Sequence, residues 1–140
     1  VTDRRGAWLE IDLDAIRHNL GLIRGVVGQA AVAPVVKAEA YGHGLLPVAR
    51  AIEPVVDALC VATLDEASAL RSQVRSRILL LYPVPQAAAP EAVQLGVELP
   101  VMSAADLRAI RDAARRTATP VRVHLGVETG MGRGGLPPES

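Results

Sequence analysis

Lysine occurs once in these 140 residues, at position 37, and arginine supplies the rest of the fifteen basic side chains. Lys37 closes the apolar run Ala33-Pro34-Val35-Val36 and is followed at once by Ala38-Glu39-Ala40-Tyr41-Gly42-His43-Gly44. An ε-amine can lose its proton and attack a carbonyl to form an imine, whereas guanidinium stays protonated. A lysine at the carboxyl end of a buried parallel strand also stands where α/β folds assemble their reactive groups. From this context alone two readings stand side by side: a carbonyl catalyst, or a chance survivor of an arginine-rich composition. Gly42 and Gly44 suit a loop that must turn tightly or come close to a ligand. A second glycine-rich stretch, Gly130-Met131-Gly132-Arg133-Gly134-Gly135, follows a strand-like run.

The remaining reactive residue types have quieter readings. Cys60 lies in the apolar run 58–62 and is expected to be a reduced core thiol. His18 falls on an early helix and is expected in solvent. His124 alternates with Arg122 and Gly126 on one strand face and reads as a hydrogen-bonded interior histidine. No Cys/His/Asp grouping has zinc or iron spacing, so no metal is expected.

Strand-like and helix-like segments alternate through the chain. Trp8 to Leu13 alternates apolar and acidic residues as a half-buried strand does. Asp12 or Asp14 can cap the next helix, whose apolar positions Ile16, Leu20, Ile23 and Val27 recur at helical spacing. A strand is expected over 32–36, a short helix over 45–52, and a continuous apolar strand over 58–62. Thr63-Leu64-Asp65-Glu66 is a capping-box pattern opening a helix through Leu70. Then come a strand over 78–81, a helix over 87–95, and a short strand over 97–101, where Pro100 favours the strand's end. Ser103 caps a helix through Arg116, and residues 121–127 read as a last strand.

Composition excludes several partner classes. Fifteen basic and fifteen acidic residues cancel, and aromatics make up 2% with no Phe. Nothing marks a basic footprint for nucleic acid or an anionic membrane. No apolar stretch is long enough to span a bilayer and no signal-peptide core follows the first residues, so a cytoplasmic location is expected. Strands that are apolar throughout and separated by helices predict a parallel sheet, either doubly wound or in a (β/α)₈ barrel of the TIM type. Five strands of βα type fit into residues 32–127, while a closed barrel takes about 250 residues. The fold class expected is therefore α/β, about the first half of a barrel over residues 14–140, with an N-terminal strand over 1–13 outside it. The same count predicts a fragment, or one partner of a larger assembly.

Three stretches resemble the landmarks of bacterial alanine racemases. Trp8-Leu9-Glu10-Ile11-Asp12-Leu13-Asp14-Ala15-Ile16-Arg17-His18-Asn19-Leu20 resembles their opening segment. Val35-Val36-Lys37-Ala38-Glu39-Ala40-Tyr41-Gly42-His43-Gly44 is similar to their pyridoxal-phosphate attachment motif. His124-Leu125-Gly126-Val127-Glu128-Thr129-Gly130-Met131-Gly132-Arg133 resembles a third landmark, in the family's order and spacing.

The resemblance implies an isomerase that interconverts L- and D-alanine with pyridoxal 5'-phosphate, supplying D-alanine for peptidoglycan. It also implies an N-terminal barrel, a C-terminal β domain paired with the N-terminal strand, and a homodimer when complete. Lys37 is implied to carry the cofactor and to act as one of two opposed acid/base groups. Tyr41 is implied to hydrogen-bond the cofactor phosphate, and Arg133 its phenolic oxygen.

The sequence departs from the family pattern at three positions. Glu39 stands where Asn is usual, Glu128 where Asp is usual, and Gly126 where many members have a lysine that helps position the arginine. Gly126 can supply no side-chain contact to Arg133. The family's second base is a tyrosine beyond residue 140, and the arginine facing the pyridine nitrogen is also beyond it. This segment alone is therefore expected to racemise poorly.

Three alternatives compete. Gly130-x-Gly132-x-x-Gly135 matches the dinucleotide fingerprint, which needs a helix directly after it; Pro137 and Pro138 oppose one. Barrels of this type also occur as non-catalytic pyridoxal-phosphate-binding proteins and as amino-acid decarboxylases. Trp8 to Leu20 and Gly130 to Arg133 favour the racemase over both.

Overall fold

The computed structural model describes residues 6–138. Asp12 caps helix α1 (Leu13–Val27), its carboxylate accepting from the backbone N–H of Asp14 at 2.9 Å and of Ala15 at 3.0 Å. The N-terminal strand expected just before it is not formed by the described residues. Residues 7–12 pair with no other segment, Leu13 already belongs to α1, and Trp8 and Leu9 are exposed. Alternation supplies a face but no partner edge, and a strand needs neighbours for its N–H and C=O groups. Residues 1–5 of that expected strand lie outside the described residues.

After α1 come α2 (Lys37–Gly42), α3 (Leu45–Ile52), β1 (Ala58–Val61) and α4 (Leu64–Arg71). They are followed by β2 (Arg77–Leu80), α5 (Ala89–Gln94), β3 (Leu99–Val101), α6 (Ala104–Thr117) and β4 (Val123–Leu125). The capping box at Thr63 is formed, with Glu66 N–H donating to Thr63 Oγ1 at 3.2 Å and Thr63 N–H to Glu66 Oε2 at 3.2 Å. Ser103 caps α6 by accepting from Asp106 N–H at 3.2 Å.

Every pairing in the sheet is parallel and joins neighbours in chain order. Val35 bridges to Cys60, β1 pairs with β2, Leu79 bridges to Glu98, β3 pairs with β4, and Val127 bridges to Leu136. A doubly wound sheet reverses its order at a switch point; none is present among the described residues. Right-handed crossovers repeated in one direction put all the helices on one face, which is the arrangement of a (β/α)₈ barrel. The fold is the first part of such a barrel.

The residues confirm which face is which. Leu59, Val61, Ile78, Leu80, Leu99 and Val101 are buried in one cluster with the helical residues Ala67, Leu70, Ala92, Val93, Ile110 and Ala113. Pro100 sits inside β3, contrary to its expected place at the strand's end. Lacking an N–H, it cannot extend the ladder toward β2, and only the bridge at Glu98 joins those two strands. Past α6 the helix-side layer continues as Val123, Leu125 and Val127, all exposed.

Polar residues occupy the opposite face near the start of the strands. Glu98, 4% exposed, accepts from Arg77 through Nε at 2.5 Å and Nη2 at 2.9 Å, and its Oε2 lies 2.7 Å from His124 Nε2. His124 is thus hydrogen-bonded, as its alternation predicted, but its side chain is exposed in this chain and not interior. Cys60 is buried, with Sγ 3.5 Å from the Ala33 carbonyl.

Candidate active site

Lys37 is held at the sheet's carboxyl rim by the pairing just before it. Val36 N–H donates to the Cys60 carbonyl at 2.8 Å, and Cys60 N–H to the Pro34 carbonyl at 2.9 Å. The chain then does something that Ala-Glu-Ala-Tyr does not announce. Residues Ala38, Glu39, Ala40 and Tyr41 all have φ between 50° and 57°, making one turn of left-handed helix. Each such L-residue costs roughly 1–2 kcal/mol, so the turn requires compensating contacts.

Those contacts are on both sides of the turn. Ala40 N–H donates to the Val36 carbonyl at 2.9 Å and Gly44 N–H to the Glu39 carbonyl at 2.7 Å. The Glu39 carboxylate accepts from Leu45 N–H at 3.0 Å, capping α3, whose N-cap residue Gly44 has no side chain to do it. Ala38 N–H donates to Glu66 Oε1 at 2.7 Å, and Ala40 is buried. Glu39 therefore has a structural use, since its side chain reaches the start of the next helix.

The second glycine-rich stretch is a loop closed on itself. Glu128 N–H donates to the Leu136 carbonyl at 2.9 Å, and Leu136 N–H to the Gly126 carbonyl at 2.8 Å. A Cβ at Gly135, where φ is +124°, would stand 2.7 Å from Glu128 N, so that return path accepts only glycine. Among the described residues no helix follows Gly135, so the helix that the dinucleotide fingerprint needs directly after it is not formed at 136–138. Inside the loop the Glu128 carboxylate accepts from Gly130 N–H at 2.6 Å and Arg133 N–H at 3.2 Å. Hydrogen bonds from the Gly132 and Gly130 amides hold its carboxyl below the ordinary range. Glu128 thereby holds the Arg133 backbone through its amide.

Lys37, Tyr41 and Arg133 line one open cavity of about 610 Å³, together with Val35, Leu81, Tyr82, Met102 and Glu128. All the predicted site residues thus come together at the carboxyl rim of the strands. Two further residues escaped the sequence reading. The Lys37 Nζ lies 5.5 Å from the centroid of the Tyr82 ring, within cation–π range. Met102 approaches Gly126 so closely that a Cβ there would stand 2.0 Å from Met102 Sδ. Tyr82 and Met102 follow the ends of β2 and β3, as Lys37 follows the bridge from Val35 to Cys60, all that forms of the strand expected over 32–36; that shared position was the available signal.

The Met102 thioether occupies the space of any side chain at position 126. We expect Gly126→Ala to destabilise the chain by about 1 kcal/mol, because a flexible thioether must be displaced. In a Met102→Ala background the same change should be nearly neutral. A double-mutant cycle by urea denaturation checks this coupling, and additivity of the two changes would refute the contact.

Comparison with known proteins supplies the relationship. The family described as alanine racemase, N-terminal domain, matches residues 11–140. The chain belongs to this family. It is 40% identical over 139 residues to alanine racemase 1 of Oceanobacillus iheyensis, covering 97% of this chain and 37% of that protein. It is 42% identical to the alanine racemase of Thioalkalivibrio sulfidiphilus, covering 96% of this chain and 38% of that protein. The chain thus spans a little over a third of the length of these relatives. Among solved structures, alanine racemase of Clostridium difficile 630 superposes with a TM-score of 0.91 at 31% identity, covering 98% of this chain and 37% of that one. Alanine racemase from Streptomyces coelicolor A3(2) superposes with a TM-score of 0.80 at 38% identity, covering 91% of this chain and 35% of that one. These likenesses agree with the partial barrel derived from strand order.

Proposed function

We propose that these residues form the cofactor-carrying part of a pyridoxal-phosphate-dependent alanine racemase. The observation that supports this most is the convergence of Lys37, Tyr41 and Arg133 on one cavity at the carboxyl rim of the strands. The residues fit the cofactor. A volume of about 610 Å³ falls in the range of small-molecule sites, roughly 300–1,000 Å³. Val35, Leu81 and Met102 offer apolar contact for a ring, and two polar side chains stand at the rim for its oxygens.

When bound, the cofactor supplies an electron sink that acidifies the α-hydrogen of an attached amino acid. In this proposal Lys37 holds the cofactor through Nζ and moves a proton at the α-carbon from one face. The Tyr41 hydroxyl would hold the cofactor's phosphate and the Arg133 guanidinium its phenolic oxygen. The Tyr82 ring orients the Lys37 ammonium. One positioned acid/base group is worth about 10²–10⁴ in rate. Inversion at carbon needs a second such group on the opposite face, and the resemblance assigns it to a tyrosine beyond residue 140.

The finer parts of the reading rest on the family. They are a homodimer, a C-terminal β domain that receives residues 1–13, a cytoplasmic location and D-alanine supply for peptidoglycan. Among the described residues no helix is long and apolar enough to cross a membrane.

The test incubates the chain with pyridoxal phosphate, reduces it with borohydride and maps the adduct by peptide mass. A pyridoxyl group on Lys37 is expected; a folded chain that takes none there overturns the reading.

A further inference from the structure

Glu66 has so far figured only as half of a capping box, yet its carboxylate makes three hydrogen bonds that join three elements. Oε2 accepts from Ala62 N–H at 2.8 Å, at the end of β1, and from Thr63 N–H at 3.2 Å, at the start of α4. Oε1 accepts from Ala38 N–H at 2.7 Å, across 28 positions of sequence. Burial alone would raise the Glu66 carboxyl, but the Ala38, Ala62 and Thr63 amides outweigh it and hold it lower. An ionised carboxylate accepting amide hydrogen bonds is among the stronger neutral–charged contacts a protein makes.

The Ala38 N–H belongs to the peptide plane that leaves Lys37. Rotation about the Lys37 Cα–C bond swings that plane, and with it the entry into the left-handed turn. The other hydrogen bonds of the turn, from Ala40 to Val36, from Gly44 to Glu39 and from Leu45 to Glu39, are local. The two to Glu39 would travel with the turn if it moved; the one to Val36 spans the Lys37 hinge and restrains it only from the preceding residue. The bond to Glu66 ties the turn to the neighbouring βα unit, and it does so at the residue next to the amine.

We propose that Glu66 is a positioning residue for Lys37, locking the Lys37–Ala38 peptide plane to the junction of β1 and α4 so that the amine stays directed into the cavity. This rests on the proposed role of Lys37 as the cofactor-bearing amine. Glu66 does not line the cavity; it acts through the backbone of the turn.

Thr63 provides the control. Thr63→Ala removes the reciprocal half of the capping box but leaves the Ala38 bond in place. Glu66→Ala removes both. Two measurements are made on the wild-type chain and on each variant. The first is the pyridoxal phosphate concentration that half-saturates labelling of Lys37 under borohydride. The second is amide hydrogen exchange at Ala38 in the cofactor-free chain.

Glu66→Ala is expected to raise the half-saturating concentration about tenfold, equivalent to about 1.4 kcal/mol, and to speed exchange at Ala38. Thr63→Ala is expected to change the half-saturating concentration less than twofold and to leave Ala38 protected. Equal behaviour of the two variants in both measurements overturns the inference. If the wild-type chain takes no label at Lys37, the proposed function fails instead, and exchange at Ala38 alone decides the role of Glu66. Should Glu66→Ala not fold, Glu66→Gln carries the same comparison, because one amide oxygen cannot serve donors on both sides. A loss no greater than that of Thr63→Ala then counts against Glu66.

Discussion

Lys37→Arg is expected to abolish covalent capture of pyridoxal phosphate while leaving the fold intact. The substitution keeps a positive charge and a long apolar stem, so contact with the Tyr82 ring, 5.5 Å from the Lys37 Nζ, is preserved in kind. It removes the one ε-amine in the chain. A guanidinium stays protonated at any pH a folded protein survives and has no lone pair to offer a carbonyl. Covalent labelling should therefore fall to background, not merely decline. Weak reversible binding through Tyr41 and Arg133 should remain, seen as a small shift in cofactor absorbance. Intact mass after borohydride reduction checks the first claim, and circular dichroism checks that the variant is folded. Undiminished labelling of a folded Lys37→Arg chain would place the reactive amine elsewhere and remove the basis of the racemase reading. In a longer polypeptide able to racemise alanine, the same change should eliminate the activity.

The second large effect concerns stability. Arg77 holds the Glu98 carboxyl far below its ordinary range. Burial opposes this, His124 adds to it, and the result is a value of about 2 against an ordinary 4.5. A carboxyl that is more acidic in the folded chain than in the unfolded one stabilises the fold fully above about pH 4.5. That contribution disappears as the pH falls from there toward 2. At neutral pH it is on the order of 3 kcal/mol, a large share of the 5–15 kcal/mol typical of a domain. Glu98→Gln should lose about that much at pH 7 and should no longer vary through Glu98 below pH 4.5. Urea midpoints of both chains between pH 7 and pH 2 test this. The curves should converge at the acid end, since Glu53, Glu66 and Glu128, also lowered, are common to both. Parallel curves across the whole range would show that the Glu98 carboxyl is no more acidic in the folded chain than in the unfolded one.

Much of the fold was legible because its signals are local. Asp12 before an amphipathic run, the Thr63/Glu66 pair and Ser103 before Asp106 each act within one helical turn, and each cap formed where its residues stood. The order of apolar strands and helices reduced the architecture to two candidates. The placement of Lys37 after a strand, with Tyr41 and Arg133 in glycine-rich loops, pointed to one site. A strand signal makes no ladder without a partner edge: Trp8 to Leu13 alternates like a strand, and residues 7–12 have no pairing segment among the described residues.

What the sequence alone determined, then, was which segments are helices and strands and which residue types stand ready at their ends. Caps, periodicity and turn chemistry act over a few residues and are written in them. Only the tertiary structure decided the strand order that separates a barrel from a doubly wound sheet. It also decided the left-handed turn after Lys37, the seating of Met102 against Gly126, and the double use of Glu66. Each of these depends on contacts between residues far apart in the chain. The turn shows the reason most plainly. Ala38 to Tyr41 would favour a right-handed helix by themselves, and they are left-handed because amide bonds to Glu66 and to Val36, with burial of Ala40, outweigh that preference.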